Sequence, residues 1–187
     1  MGRNKILDLG HAFSSAPWAL PALLATLVIS LLVHRWLAKR FHVSPWYVLA
    51  FMLCVGSILS ITITPGDWNP APYCNLRVTF PRPTDLFYFT ERGLNIWLFV
   101  PPGLLLALTP RLRLGALFFA GAMILPFMIE GFQLVVPGIG RSCQATDIVN
   151  NLTGLFLGGI IGLSARLFWL GITRNVRRKA DQTSRSL

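Results

Sequence analysis

Five long stretches of this chain carry almost no charge, and each is long enough to cross the ~30 Å hydrocarbon layer of a bilayer at ~1.5 Å per helical residue. They run approximately from Ala16 to Leu37, Pro45 to Thr64, Gly93 to Thr109, Leu114 to Pro137 and Asp147 to Leu170. Inside lipid a segment must satisfy its own backbone hydrogen bonds, so runs of this kind are read as helices. The expected fold is therefore all-α: a polytopic membrane protein of five transmembrane helices, with an ordered extracytoplasmic loop between helices 2 and 3. Residues 1–173 make one transmembrane domain, and 174–187 a basic cytoplasmic tail expected to be disordered. Composition agrees, because 13% charged residues is too few to wrap a water-soluble domain, where about 25% is usual. The first run is longer than the apolar part of a signal peptide and no A-x-A site follows it, so it counts as a helix.

The net charge of +10 would suggest a nucleic-acid partner in a soluble chain, but here the basic residues sit in short clusters between the apolar runs and read as topology. Arg35, Lys39 and Arg40, Arg111 and Arg113, Arg166, and the tail residues Arg174, Arg177, Arg178, Lys179 and Arg185 fall on one side. Arg3, Lys5, Arg77, Arg82, Arg92 and Arg141 fall on the other. That places 11 of the 17 basic residues on the side of the C-terminus, which is assigned to the cytoplasm, and puts the N-terminus outside. Trp18, Trp36, Trp46 and Trp169 stand at span ends, where interfacial indoles collect.

Three cysteines without a CxxC or other ligand spacing exclude a structural zinc site. Cys54 lies within a span and reads as a packed thiol, whereas Cys74 and Cys143 both fall outside the spans on the outer face. They are expected to form a disulfide between the long loop and the turn joining spans four and five. The loop from Pro65 to Arg92 is too rich in proline for a helix and is expected to form a lid. Phe118 and Phe119 read as lipid-facing filler.

A second constraint is the small set of polar residues inside apolar runs. Glu130 is the one acidic residue within the apolar length of a span, about 10 Å from its outer end. A carboxylate there is costly and is a functional candidate by default. Gln133 shares its face. In the last span Asp147, Asn151, Gly154, Gly158 and Gly162 fall within an arc of about 80°, a stripe that lets another helix approach closely and is expected to bring span five against span four so that Arg141 and Glu130 can meet. Thr146 is a possible cap for that span, with Asp147 near its positive dipole end. Span three supplies Asn95 and then Pro101, Pro102 and Gly103, where two prolines are expected to break the helix. Asn95, Glu130, Gln133, Arg141, Asp147 and Asn151 all project to the outer third of the membrane as one polar cluster, in which Arg141 is the expected counter-charge for a carboxylate.

These residues resemble the VanZ-like family of small membrane proteins. The likeness covers roughly Asp85 to Gly162 and comprises Asn95-x3-Phe99-x-Pro101-x-Gly103, Glu130-x2-Gln133, and Arg141-x5-Asp147-x3-Asn151-x2-Gly154-x3-Gly158. It departs from that family between Arg141 and Asp147, where Ser142, Cys143, Gln144, Ala145 and Thr146 stand in place of further acidic residues. The resemblance implies a role in the bacterial cell envelope and a link to teicoplanin resistance, without supplying a reaction.

Three functions suit this pattern. The polar cluster could bind the head of an outer-leaflet amphiphile, a lipid or lipophilic glycopeptide, with no cofactor and no metal. It could serve a transferase or hydrolase with Glu130 as base and Arg141 as anion clamp, although no histidine lies near it. It could simply pack helices, the protein then acting as an assembly partner in the envelope.

Overall fold

The computed structural model describes residues 18–65, 73–87, 90–109 and 111–185, with no account of the side chains of Leu112 and 174–185. Arg3 and Lys5 thus lie outside the described residues. Five α-helices make up the fold: α1 Ala19–Phe41, α2 Pro45–Thr62, α3 Glu91–Ala107, α4 Leu112–Val135 and α5 Ala145–Arg185. Short 3-10 turns at Pro83–Leu86 and Pro137–Ile139 precede α3 and α5. Among the described residues there is no β-strand, and α1, α2, α4 and the first 29 residues of α5 are long and apolar enough to cross a membrane. The protein is a helical, multi-pass membrane protein.

The connections follow from local chemistry. Helix α1 stops because His42 adopts a left-handed conformation (φ 53°), which turns the chain so that the N–H of Val43 reaches Ala38 O at 3.1 Å and that of His42 reaches Lys39 O at 3.4 Å. This 6→1 and 5→2 pairing satisfies carbonyls that the helix end would orphan. Pro45 then opens α2, where a missing N–H costs nothing. Helix α3 starts at Thr90, whose hydroxyl accepts from Gly93 N at 3.1 Å.

Ile58 of α2, Phe99 of α3, Ile129 of α4 and Leu155 of α5 form the core, with Phe119 packed against it. Helix α1 contributes nothing to that cluster and leans on α2, where Thr26 occupies the space above Gly56 and lies 3.2 Å from the Ser60 hydroxyl. Phe118 and Phe119 are not lipid-facing filler: Phe118 meets Phe41 of α1 edge-on, and Phe119 packs against Phe156 and Gly159.

The closest packing joins α3 and α5. A Cβ on Gly154 would lie 2.0 Å from Ile96 O, one on Gly158 2.0 Å from Val100 O, and one on Gly162 2.7 Å from Leu104 O. Both partners advance by four residues at each step, so the two helices run parallel in a fixed register. Each glycine directs an α-hydrogen at a carbonyl, a weak hydrogen bond available only at this separation. The glycine stripe thus seats α3 and not α4, the partner expected from the sequence, because its close contacts fall on the carbonyls of Ile96, Val100 and Leu104. Nor does the proline pair break α3, which continues through Pro101 and Pro102. Pro101 itself is exposed, while Pro102 and Gly103 are buried, Gly103 against Leu155 O. The contact with α5 holds the helix through residues that could not hold it alone.

Helix α5 also continues through the basic tail to Arg185 instead of giving way to a disordered segment at Thr173. Within its apolar part, Arg166 donates to Thr109 O at 2.8 Å and closes the C-terminal end of α3. The start of α1, the end of α2, the start of α3, the end of α4 and the start of α5 share one end of the bundle. Arg35, Lys39, Arg40, Arg111 and Arg113 gather at the other, as their distribution along the sequence implies.

Candidate functional site

At the first of these ends the sequence places polar groups on four helix termini, and the first problem they solve is backbone satisfaction. Helix α2 ends at Thr62, leaving the carbonyls of residues 59–62 without helical donors. The N–H of Ile63 takes Leu59 O, the Thr64 hydroxyl donates to Ser60 O at 2.6 Å, Arg141 Nη2 donates to Ile61 O at 2.8 Å, and Gln133 Nε2 donates to Thr62 O at 2.9 Å. All four are satisfied. Ile61 needs a side-chain donor because residue 65, four positions on, is proline and has no N–H. A cation there also meets the negative end of the helix dipole.

Arg141 is therefore not the counter-charge of Glu130 or Asp147. Burial draws its guanidinium below the ordinary arginine value, with no carboxylate among the described residues to offset the effect. Glu130 is buried at 3% exposure, and its Oε2 accepts the N–H of Gln144 at 2.7 Å, at the threshold of α5. An acidic group at a helix N-terminus is favoured both by the free N–H groups and by the dipole. The carboxylate that looks stranded in a span thus closes the adjoining helix. Thr146 does not cap α5: its hydroxyl donates to Arg77 O at 2.8 Å and lies 3.2 Å from the Thr79 hydroxyl.

The long loop is ordered over residues 73–87 and is fastened to the same helix start. Cys74 and Cys143 form the expected disulfide, with Cα atoms 4.6 Å apart. Beside it Asn75 N donates to Cys143 O and Ala145 N donates to Asn75 O, each at 2.9 Å. Arg92 Nη2 reaches the Thr79 hydroxyl at 3.3 Å, and Trp97 Nε1 donates to Leu86 O at 2.9 Å. Residues 66–72, which the lid would also need, lie outside the described residues.

Of the expected cluster, Asn95 lies beside the Asp147 carboxylate, as does Asn150, with Glu91, Arg92 and Glu130 nearby. Gln133 and Arg141 come together as well, on the end of α2 and on backbone. Asn151 is buried at 2% exposure, and its Oδ1 has no partner among the described residues. Sequence reasoning missed its neighbour: Asn150 is wholly buried, its Oδ1 has no partner among the described residues, and its Nδ2, outside good hydrogen-bond geometry with any described acceptor, lies near the Asp147 carboxylate. An Asn-Asn pair opening an apolar run was the available signal. Arg141 Nε is likewise buried without a partner, so unmatched donors and acceptors concentrate at this end of the bundle.

A separate cavity lies elsewhere. It measures about 390 Å³ and is lined by apolar parts of α1, α2, α3 and α4 towards the opposite, basic end. No protein-family model, curated protein or solved structure matches this chain.

Proposed function

We propose that this protein is a bacterial plasma-membrane protein of VanZ type that holds the polar head of an outer-leaflet amphiphile, a lipid or lipophilic glycopeptide, at its disulfide-bonded end. In this reading α3 is a fifth crossing, the N-terminus lies outside and the C-terminus in the cytoplasm, and binding affects sensitivity to teicoplanin-like drugs. The family assignment rests on the three motifs alone. One observation carries the binding: among the described residues, Asn150 Oδ1, Asn151 Oδ1 and Arg141 Nε are buried without partners. Each unmatched polar group costs about 1–3 kcal/mol in a protein interior, and a head group offering both donors and acceptors would recover that cost.

A structural reading is favoured by a different observation, the use of Glu130, Gln133 and Arg141 to close helix ends. The two readings diverge at Asn150. Purified protein is melted in detergent with and without added envelope lipid extract, as wild type and as Asn150→Leu. On the binding reading the lipid raises the wild-type melting temperature, whereas Asn150→Leu melts at least as high as wild type without lipid and gains nothing from it. A variant that loses stability equally with and without lipid supports the packing role.

A further inference from the structure

The cavity at the basic end has no part in the reading above, and its construction is specific. Its wall runs from Thr26 to Phe41 along α1 and from Val43 to Leu59 along α2, with Leu106 and Thr109 of the α3 end and Leu114 and Phe118 of α4 completing it. Fifteen residues of helix amount to roughly 22 Å, more than the ~15 Å hydrocarbon depth of one leaflet. At about 390 Å³ it is within the usual range for a ligand pocket.

Of the hydroxyl groups that line it, those of Thr26, Tyr47 and Thr109 are already engaged. The Tyr47 hydroxyl donates to Leu105 O at 3.0 Å and pairs with Thr109, while Thr26 pairs with Ser60. None of the buried unpartnered polar atoms belongs to its lining. The surface offered to an occupant is hydrocarbon, which suits an acyl chain and disfavours a polar ligand.

The mouth has the opposite character. Leu114 is shared with an adjoining hollow lined by Arg111, Arg113 and Leu117. Both arginines are exposed, and neither makes a hydrogen bond or ion pair with a described residue. An apolar slot more than one leaflet deep that opens beside two guanidinium groups without partners among the described residues is complementary to one molecule type, an anionic amphiphile. We infer that this is a binding site for an anionic phospholipid, with one acyl chain between α1 and α2 and the phosphate on Arg111 and Arg113. The edge-on contact of Phe41 with Phe118 closes α1 over α4 at the level of the mouth, which separates a seated chain from bulk lipid.

The test is native mass spectrometry of the full chain, released from detergent with phosphatidylglycerol or phosphatidylcholine of the same acyl chains. Wild type should retain one phosphatidylglycerol in clear preference to phosphatidylcholine. Arg111→Gln with Arg113→Gln should weaken that retention roughly tenfold or more, at about 1 kcal/mol per basic residue near a charged head group. Val55→Phe, which fills the slot, should lose both lipids while keeping the wild-type melting temperature without lipid. Arg174→Gln with Arg177→Gln, in the basic extension of α5, should change nothing. The inference is overturned if wild type shows no preference between the two lipids, if the double arginine variant retains phosphatidylglycerol as wild type does, if the α5 variant loses it instead, or if a lipid still binds one-to-one to folded Val55→Phe.

Discussion

Gly158→Ala adds one carbon, and the structure gives the cost. The new Cβ would stand 2.0 Å from Val100 O and 2.8 Å from Leu104 N, both backbone atoms that cannot rotate away. Reaching the ~3.5 Å of a favourable contact requires α3 and α5 to separate by roughly 1.5 Å. That separation weakens the weak hydrogen bonds from Gly154, Gly158 and Gly162, at about 0.5–1 kcal/mol each, and adds the 1–3 kcal/mol typical of overpacking. Helix propensity returns at most about 1 kcal/mol on replacing glycine by alanine. The expected net loss is about 2–4 kcal/mol, which for a chain of this size lowers the melting temperature by roughly 5–15 °C. Gly121→Ala is the internal control, because Gly121 also lies in a helix and nothing stands within 4 Å of the place its Cβ would take. It should leave stability unchanged or raise it by up to about 1 kcal/mol. Thermal unfolding of both variants in one detergent, followed by circular dichroism, decides the matter. Gly158→Ala as stable as wild type, or Gly121→Ala equally damaged, would refute the packing argument.

Three further outcomes are expected. Arg141→Ala removes the donor to Ile61 O and should cost about 1–3 kcal/mol in detergent unfolding; a loss under about 0.5 kcal/mol would mean that the end of α2 finds another donor. Glu130→Gln keeps an oxygen able to accept the N–H of Gln144 and should unfold close to wild type, whereas Glu130→Ala should lose about 1–3 kcal/mol; equal losses would argue that the negative charge itself matters. Reducing the Cys74–Cys143 bond reopens a closed loop spanning 69 residues, and should lower stability by up to about 4 kcal/mol and slow the protein on a non-reducing gel; identical mobility with and without reductant would show that the bond is not formed.

Much of the architecture can be read from hydropathy, because lipid leaves a chain few options. The helices, the sharing of ends between termini and the Cys74–Cys143 bond are visible in the order of apolar runs and the placement of two cysteines. The polar residues do concentrate at one end of the bundle, but not as the mutual ion pairs that their charges suggest. Side-chain composition reveals that Glu130 and Arg141 need partners, but the orphan N–H of Gln144 and the orphan carbonyl of Ile61 are backbone groups that exist only once helices end. Pro65 is the one residue that announces such an orphan. The glycine stripe is plain at 100° per residue, yet its partner is set by register, Ile96 with Gly154 and Val100 with Gly158, and register is a property of two helices together. The prolines of α3 mislead for a related reason, since tertiary contact with α5 outweighs the local preference against proline.

The central claim, that a polar head group occupies the buried end of the bundle, is tested most directly by a high-resolution structure of the protein in nanodiscs formed from its native membrane. The account predicts non-protein density with a polar group within ~3 Å of Asn150 and Asn151, the hydrogen-bonding distance. Density that shows those amides paired with each other or with protein backbone, and no lipid or glycopeptide beside them, would contradict it.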